Sequence, residues 1–473
     1  ATRTAVGLQS WTGLIGVNYN PNHYPNTSLL NNHAVFYVGM NASNEPITNV
    51  YAELAQLQQA GFNTARSYQT IEYMWIDLIS QAHRLNMNIV YEADIPQNGG
   101  QSDINAAVTV LDNVITAVTS TVFQDTVSLV FAGHENYDGN NVNYLTTAVT
   151  ALRNALQQNS ITAPVSSAVN SGNFVTPSPT IATDMATLIN SYSTDAPIAF
   201  DPYPFQYGVP VVNAVSITNP PQAVNSIAWD YEQVMAQSFY PAARTILMAE
   251  TGWATQGDTS SYACNSPGPC DPSIANEATY LSAVYDYVRD ASNLSGVLVF
   301  YAHDEPAKSP SPNDAENFYG MFDADCNLKN NDTTLLPNTA YNYSSNHGCQ
   351  GFVQGALLVV VGSVQNQPPF TVAITQQNPE TNLSASMNVP VPTQDRTNTN
   401  IYPWPNFLVY NNAQLTLTGS SGTVCTGVVP VSGSPLVVNF PVTPPTALNC
   451  TNSSGPALGV NCSGTNCFLP GNF

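Results

Sequence analysis

From about Leu14 to Tyr301, short apolar runs alternate with longer stretches in which apolar residues recur every three or four positions. The first pattern suits buried strands and the second suits amphipathic helices. The strand-like runs are Leu14–Asn20, Asn63–Tyr68, Asn88–Asp94, Val127–Gly133, Pro164–Val169, Pro197–Tyr203, Arg244–Glu250 and Gly296–Tyr301. Helical periods cover Val50–Gln59, Ile71–Leu85, Asp103–Val118, Val142–Leu156, Thr180–Asn190, Ala223–Ala236 and Ile274–Val288. Gly61 and Pro197 stand where helices should stop. Eight strand-then-helix units predict a closed (β/α)8 barrel of the α/β class, the TIM barrel. No Gly-x-Gly-x-x-Gly follows the first run, so no dinucleotide site is indicated.

After about residue 345 the pattern changes. Leu357–Val361, Phe370–Ile374, Asn406–Tyr410, Gln414–Leu417, Thr423–Val431 and Leu436–Phe440 read as strands separated by Pro, Gly, Ser and Asn, with no helical period. The expected organisation is a barrel over 1–345 and an all-β, sandwich-like domain over 346–473. That domain either stabilises the barrel or binds the barrel's own ligand, with Tyr402 and Trp404 as its aromatic candidates.

Composition narrows the function. Of 473 residues only 8% are charged, and 9 Lys+Arg against 31 Asp+Glu give a net charge of −22. Clustered cations are needed to neutralise phosphates, so nucleic acid is excluded as a partner and anionic membrane surfaces are disfavoured. No apolar stretch is long enough to cross a membrane. The eight cysteines (Cys264, Cys270, Cys326, Cys349, Cys425, Cys450, Cys462 and Cys467) are even in number and lack zinc-site spacing. They suit disulfides in an oxidising compartment, with nearest-neighbour pairing as the working expectation. A mature, secreted, monomeric protein is therefore expected. His23, His33, His83, His303 and His347 have no metal-like spacing, so neither metal nor cofactor is expected.

The chemistry points to two carboxylates. Glu250 ends the seventh strand-like run and is followed by Thr251-Gly252-Trp253; Glu135 follows the fourth. Barrels place catalytic groups at the C-terminal ends of strands, and paired carboxylates are what glycosidic cleavage requires. Asn18, Tyr19 and Asn20 end the first run, Glu92 and Asp94 end the third, and Asn136 follows the acid; all are candidates to line the cleft.

These residues resemble glycoside hydrolase family 17, the β-1,3-glucanases and β-1,3-glucan glucosyltransferases. Glu250-Thr251-Gly252-Trp253 matches the family's nucleophile motif. Gly133-His134-Glu135 resembles its Gly-Asn-Glu, Arg66-Ser67-Tyr68 its Arg-x-Tyr, and Asp201-Pro202-Tyr203-Pro204-Phe205 its Asn-x-Tyr-Pro-Tyr/Phe. Asp304-Glu305-Pro306-Ala307-Lys308 and Glu316-Asn317-Phe318-Tyr319-Gly320-Met321-Phe322 complete the ordered set. The resemblance implies a retaining mechanism on β-glucan, by hydrolysis or transglycosylation. Glu250 would be the nucleophile, Glu135 the acid/base, Tyr203 a hydrogen-bond support and Trp253 a platform for a sugar ring. Glu305, Lys308 and Glu316 would form a polar cluster beside the nucleophile, with Lys308 as a buried partner. Three residues depart from the pattern: His134 and Asp201 each replace Asn, and Ala307 replaces Trp. A non-catalytic glucan-binding or cell-wall protein, and a retaining glycosidase for other β-glucan linkages, are the competing readings.

Overall fold

A computed structural model describes residues 11–23 and 46–342, apart from 71, 217–223, 242–243, 263–270 and 291, plus the backbone of the outlying strands named below. Eight parallel strands close into a barrel: β1 (Ile15–Asn18), β2 (Thr64–Arg66), β3 (Asn88–Ala93), β4 (Val127–His134), β5 (Val165–Asn170), β6 (Ile198–Asp201), β7 (Ile246–Met248) and β8 (Ser295–Val299). Each pairs with its sequence neighbours, and β1 closes the ring by pairing with both β8 and β2. All eight expected strands form, several shorter than the apolar runs. In β2 and β7 the residues past the third leave the ladder and turn into the rim, so Tyr68 and Glu250 lie beyond the strand ends.

The helices are α1 (Asn49–Gln59), α2 (Glu72–Leu85), α3 (Gln101–Val118), α4 (Ser120–Thr126), α5 (Val142–Gln158), α6 (Ser171–Val175), α7 (Pro179–Ser191), α8 (Val211–Ala214), α9 (Ile227–Ala236) and α10 (Ile274–Arg289). Their starts follow the capping rule. Ser178, Ser226 and Ser273 each accept a hydrogen bond from a first-turn N–H, and Pro179 opens α7 without losing a bond. The apolar stripe of α2 shows why the period matters: Trp75, Leu78, Ile79 and Ala82 are all fully buried. Trp75 meets Tyr91 of β3 with ring centroids 4.3 Å apart. Burying one such side chain stabilises by roughly 1.5–3 kcal/mol, so the stripes fasten the helices to the barrel wall.

The chain divides into two compact units, one of residues 1–25 and 54–343, the other of residues 26–53 and 344–473. The second unit therefore does not begin at 346 alone; it also takes an early segment. Phe36–Met40 pairs in parallel with Asn406–Tyr410 and antiparallel with Pro46–Thr48. Such a long-range ladder leaves no local period, which is why the strand pattern missed it. The second unit holds a five-stranded sheet ordered Leu436–Phe440, Gly355–Gly362, Asn406–Tyr410, Phe36–Met40, Pro46–Thr48. It also holds a four-stranded antiparallel sheet, Ser384–Val391, Phe370–Gln377, Gln414–Gly419, Val424–Val428. In a final two-stranded ribbon the register sets Cys462 opposite Cys467. Cys326 is disulfide-bonded. Cys264, Cys270, Cys349 and Cys450, like Tyr402 and Trp404, lie outside the described residues.

Candidate active site

A cavity of about 400 Å³ opens where the C-terminal ends of the barrel strands meet. Glu135 and Glu250 both line it, with Tyr68, His134, Tyr203, Glu305, Lys308 and Glu316. The chain leaves β4 through a sharp turn. Gly133 sits at φ 66° and Glu135 at φ 50°, a left-handed backbone that non-glycine residues rarely adopt. A side chain at Gly133 would have to displace the Asn136 amide, on a backbone conformation that favours glycine.

Glu250 is 7% exposed and held from two sides. The Tyr68 hydroxyl donates to its Oε1 at 2.5 Å and the Tyr203 hydroxyl to its Oε2 at 2.8 Å. Arg66 Nη1 lies 3.6 Å from Oε1 and donates to the Ala249 carbonyl at 3.0 Å. Two hydroxyl donors and one guanidinium thus surround the Glu250 carboxylate. Asn18 Nδ2 donates to the carbonyls of Ala249, Leu298 and Val299, which turns its Oδ1 toward the Tyr68 hydroxyl at 2.7 Å. Tyr68 thus has one proton and two acceptors.

Glu135 is treated differently. Asn170 Nδ2 donates to it at 3.4 Å. Burial, and then the charge of Glu250, raise its pKa above the ordinary carboxylate value. Burial and a neighbouring carboxylate thus favour a protonated Glu135, as an acid catalyst requires.

Beneath this pair lies a buried network. Arg66 donates to Glu92 Oε2 through Nε at 2.9 Å and Nη2 at 2.6 Å. Glu92 Oε1 meets His134 Nδ1 at 2.5 Å. Burial works against ionising Glu92, yet His134 and Arg66 together hold its pKa at about 2. Burial likewise opposes a charged His134, but Glu92 raises its pKa above the ordinary value. Asp201, where the family pattern has Asn, is 1% exposed, and neither of its oxygens has a hydrogen-bond partner among the described residues. Burial and the charge of Glu250 push its pKa far up. A neutral acid thus stands in for a neutral amide.

The Glu305–Lys308–Glu316 cluster forms one wall. Lys308 Nζ lies 3.6 Å from Glu316 Oε2 and 4.0 Å from the centre of the Phe300 ring. Glu316 also accepts from the Tyr262 hydroxyl, and Asn20 Nδ2 donates to Glu305 at 3.4 Å. Burial raises the Glu305 pKa. Lys308 is not the buried lysine, since its side chain is 32% exposed. That place belongs to Lys329, whose Nζ donates to Asp304 Oδ1 and Thr255 Oγ1, both at 2.7 Å.

Six expected cleft residues do not line the cavity: Asn18 and Glu92 are buried in the networks just described, Asp94 is exposed, and Trp253, Tyr19 and Asn136 serve elsewhere. Trp253 is fully buried: its indole N–H donates to the Asp271 carbonyl at 3.0 Å, and the ring packs on Phe205 and Tyr280. It braces the loop after β7 and does not reach the cavity. Gly252 sends the chain there, since a side chain at this position would overlap the Phe300 carbonyl at 1.9 Å. Tyr19 is also fully buried, edge-on to His303, and Asn20 lines the cavity in its place. Asn136 Nδ2 donates to the Ile95 carbonyl and ties down the turn after β4. Besides Tyr68 and Tyr203, the aromatic surface in the cavity comes from Phe300 and Tyr301, joined by a cis peptide, and Gln206 also lines it. Sequence reasoning missed Phe300, Tyr301, Gln206 and Asn170. The first two follow β8 directly and Asn170 ends β5, so strict use of the strand-end rule would have found them. Among the described residues one group could meet a metal, His23, His303 and Cys326, but the disulfide at Cys326 leaves no thiolate to coordinate.

No family model and no curated protein matches the chain. Among solved structures it is similar to a plant β-glucan endohydrolase at 13% identity and TM-score 0.47, covering 66% of this chain and 98% of that one. A GH5_18 protein from Streptomyces cattleya in complex with Manβ1-4GlcNAc has 12% identity and TM-score 0.46, covering 74% and 85%. An exo-β-1,4-mannosidase from an Opitutaceae bacterium has 12% identity and TM-score 0.44, covering 67% and 57%. At this level of similarity the functional reading rests on the chain's own site.

Proposed function

We propose that the protein is a retaining glycoside hydrolase acting on β-glucan, with β-1,3 linkages as the substrate class. One observation carries the reading: carboxylates following β4 and β7 share one cavity, one with a raised pKa and the other gripped by two phenol hydroxyls. In the first step Glu135 gives its proton to the leaving oxygen while Glu250 attacks the anomeric carbon, breaking the glycosidic bond and forming a glycosyl ester. In the second step ionised Glu135 takes a proton from water or from an acceptor sugar. That oxygen displaces Glu250, which leaves as a carboxylate. Water gives hydrolysis and a sugar gives transglycosylation. The β-1,3 preference rests on the sequence resemblance, and secretion on the cysteines and the scarcity of cations.

The test is product analysis on laminari-oligosaccharides with wild type and Glu250→Gln. Products with retained β configuration are expected from wild type and not from the variant. A 2-deoxy-2-fluoro glucosyl donor should leave a covalent adduct on Glu250. Products longer than the starting sugar identify transfer. Absence of turnover on every β-glucan overturns the reading.

A further inference from the structure

Asn18 ends β1, fully buried, and its neighbours tell the two ends of its amide apart. Nδ2 faces three carbonyls, those of Leu298 at 2.9 Å, Ala249 at 3.1 Å and Val299 at 3.3 Å. Carbonyls only accept, so the nitrogen belongs on that side and Oδ1 faces the Tyr68 hydroxyl, 2.7 Å away. An amide oxygen has no hydrogen to give, so this contact is a hydrogen bond only when Tyr68 donates it. The same hydroxyl lies 2.5 Å from Glu250 Oε1. Its one hydrogen passes from one acceptor to the other by turning about the phenol C–O bond, with no heavy atom displaced. The ring itself is held, with the Arg66 guanidinium 4.6 Å from its centre and the His134 ring edge-on at 5.1 Å. Burial raises the Tyr68 pKa well above that of an ordinary phenol, so the hydrogen is redirected and not lost.

The two acceptors differ in what the reaction does to them. A nucleophilic Glu250 is a carboxylate in the free enzyme and a neutral ester in the glycosyl-enzyme. Hydrogen bonds to a charged acceptor are roughly twice as strong as neutral ones, so the carboxylate outcompetes the amide oxygen. Esterification removes that charge, and an ester oxygen accepts more weakly than an amide oxygen. We propose that Asn18 is a positioning residue that receives the Tyr68 hydrogen while Glu250 is esterified, so that the hydroxyl supports the nucleophile as a carboxylate and keeps a good acceptor in the glycosyl-enzyme. The inference rests on the glycosidase reading above and adds a partner for its intermediate. When Glu250 leaves in the second step its charge returns, and the hydrogen turns back to it. Without Oδ1 the buried hydroxyl would face only the ester, which disfavours the intermediate on the order of 10-fold.

The experiment uses a 2-deoxy-2-fluoro glucosyl donor. Its trapping rate reads the first step, and reactivation of the adduct by an acceptor sugar reads the second. Wild type is compared with Asn18→Ala and Asn18→Ser, each alone and with Tyr68→Phe, with circular dichroism to confirm folding. The ratio of trapping to reactivation should fall on the order of 10-fold in both Asn18 variants. Once Tyr68→Phe has removed the hydroxyl, the Asn18 substitutions should leave the ratio unchanged. An Asn18 that only braces the backbone would slow both steps alike, with or without the hydroxyl, and that result overturns the proposal. A crystal structure of the trapped wild-type adduct needs no Asn18 variant. The Tyr68 hydroxyl should lie closer to Asn18 Oδ1 than to either Glu250 oxygen, and the reverse order overturns the proposal. If wild type neither turns over β-glucan nor is trapped at Glu250, the glycosidase reading falls and this inference with it. Trapping at Glu250 with equal ratios in wild type and both Asn18 variants overturns this inference alone.

Discussion

Asp230 offers a test of the fold's electrostatics away from the cavity. It lies in the first turn of α9, is 1% exposed, and has no hydrogen-bond partner for either carboxyl oxygen among the described residues. Burial raises its pKa from 3.8 to about 8. Below pH 4 both folded and unfolded chains hold the proton. Between pH 4 and 8 only the folded chain does, so unfolding releases a proton and stability falls as pH rises. Above 8 both are ionised and the loss is complete. A shift of about 4 units at about 1.36 kcal/mol each makes the loss on the order of 5 kcal/mol. That is a large part of the 5–15 kcal/mol typical of a folded protein. Asp230→Asn is neutral at every pH and should lack this component. Urea unfolding followed by tryptophan fluorescence at pH 4, 6 and 8 gives the comparison. Other buried acids titrate in both proteins, so the informative quantity is the difference between wild type and variant. It should change by several kcal/mol from pH 4 to pH 8, in wild type's favour at low pH. A difference constant to within about 1 kcal/mol would refute a buried, unpartnered, protonated Asp230.

The other expectations concern the site. Glu250→Gln should lower kcat on the order of 10⁴-fold or more with the fold intact, measured on laminari-oligosaccharides. Tyr203→Phe removes one hydroxyl from Glu250 and should cost about 10- to 100-fold in kcat, with a smaller change in KM. Trp253→Ala leaves a cavity under the loop after β7 and should destabilise by about 3–5 kcal/mol in denaturant unfolding. If Trp253 stacked on sugar, KM would rise instead while stability held. Gly252→Ala forces a side chain onto the Phe300 carbonyl and should lower the thermal midpoint sharply, with activity lost in proportion to folded protein.

The barrel was legible because its signals are local. Each strand is a short apolar run and each helix a three-to-four-residue period, and α/β units repeat eight times. The strand-end rule then put Glu135 and Glu250 at one rim before any coordinate. What sequence did not disclose were directions beyond the strand ends. Trp253 is three residues past Glu250, yet Gly252 lets the backbone pass close to Phe300 and sends the indole inward. Nothing in the one-dimensional pattern distinguishes an aromatic that floors a loop from one that faces a ligand. The lysines make the same point, since which of two cations is buried depends on whether Asp304 or Glu316 lies deeper. Phe36–Met40 was unreadable because its partner lies near residue 406 and the pairing has no period of its own.

The use of charge connects these observations. With nine basic residues in 473, the chain places three of them, Arg66, Lys308 and Lys329, at one end of the barrel. Arg66 is the most consequential: one guanidinium neutralises Glu92, lies 3.6 Å from Glu250 and, through Glu92, aims His134. Acids that receive no cation take the other route. Asp201 and Asp230 are buried with no hydrogen-bond partner among the described residues, and burial raises the pKa of both, because a neutral carboxyl is far cheaper to desolvate than an ionised one. A lysine at position 66 would keep the charge but lose the forked geometry that reaches Glu92 twice while bonding the Ala249 carbonyl. Arg66→Lys should therefore leave a folded barrel in which Glu92 no longer holds His134 in place. Its activity on laminari-oligosaccharides should fall on the order of 10-fold or more with the fold intact. Wild-type activity in Arg66→Lys would show that Glu92 and His134 are oriented without the arginine.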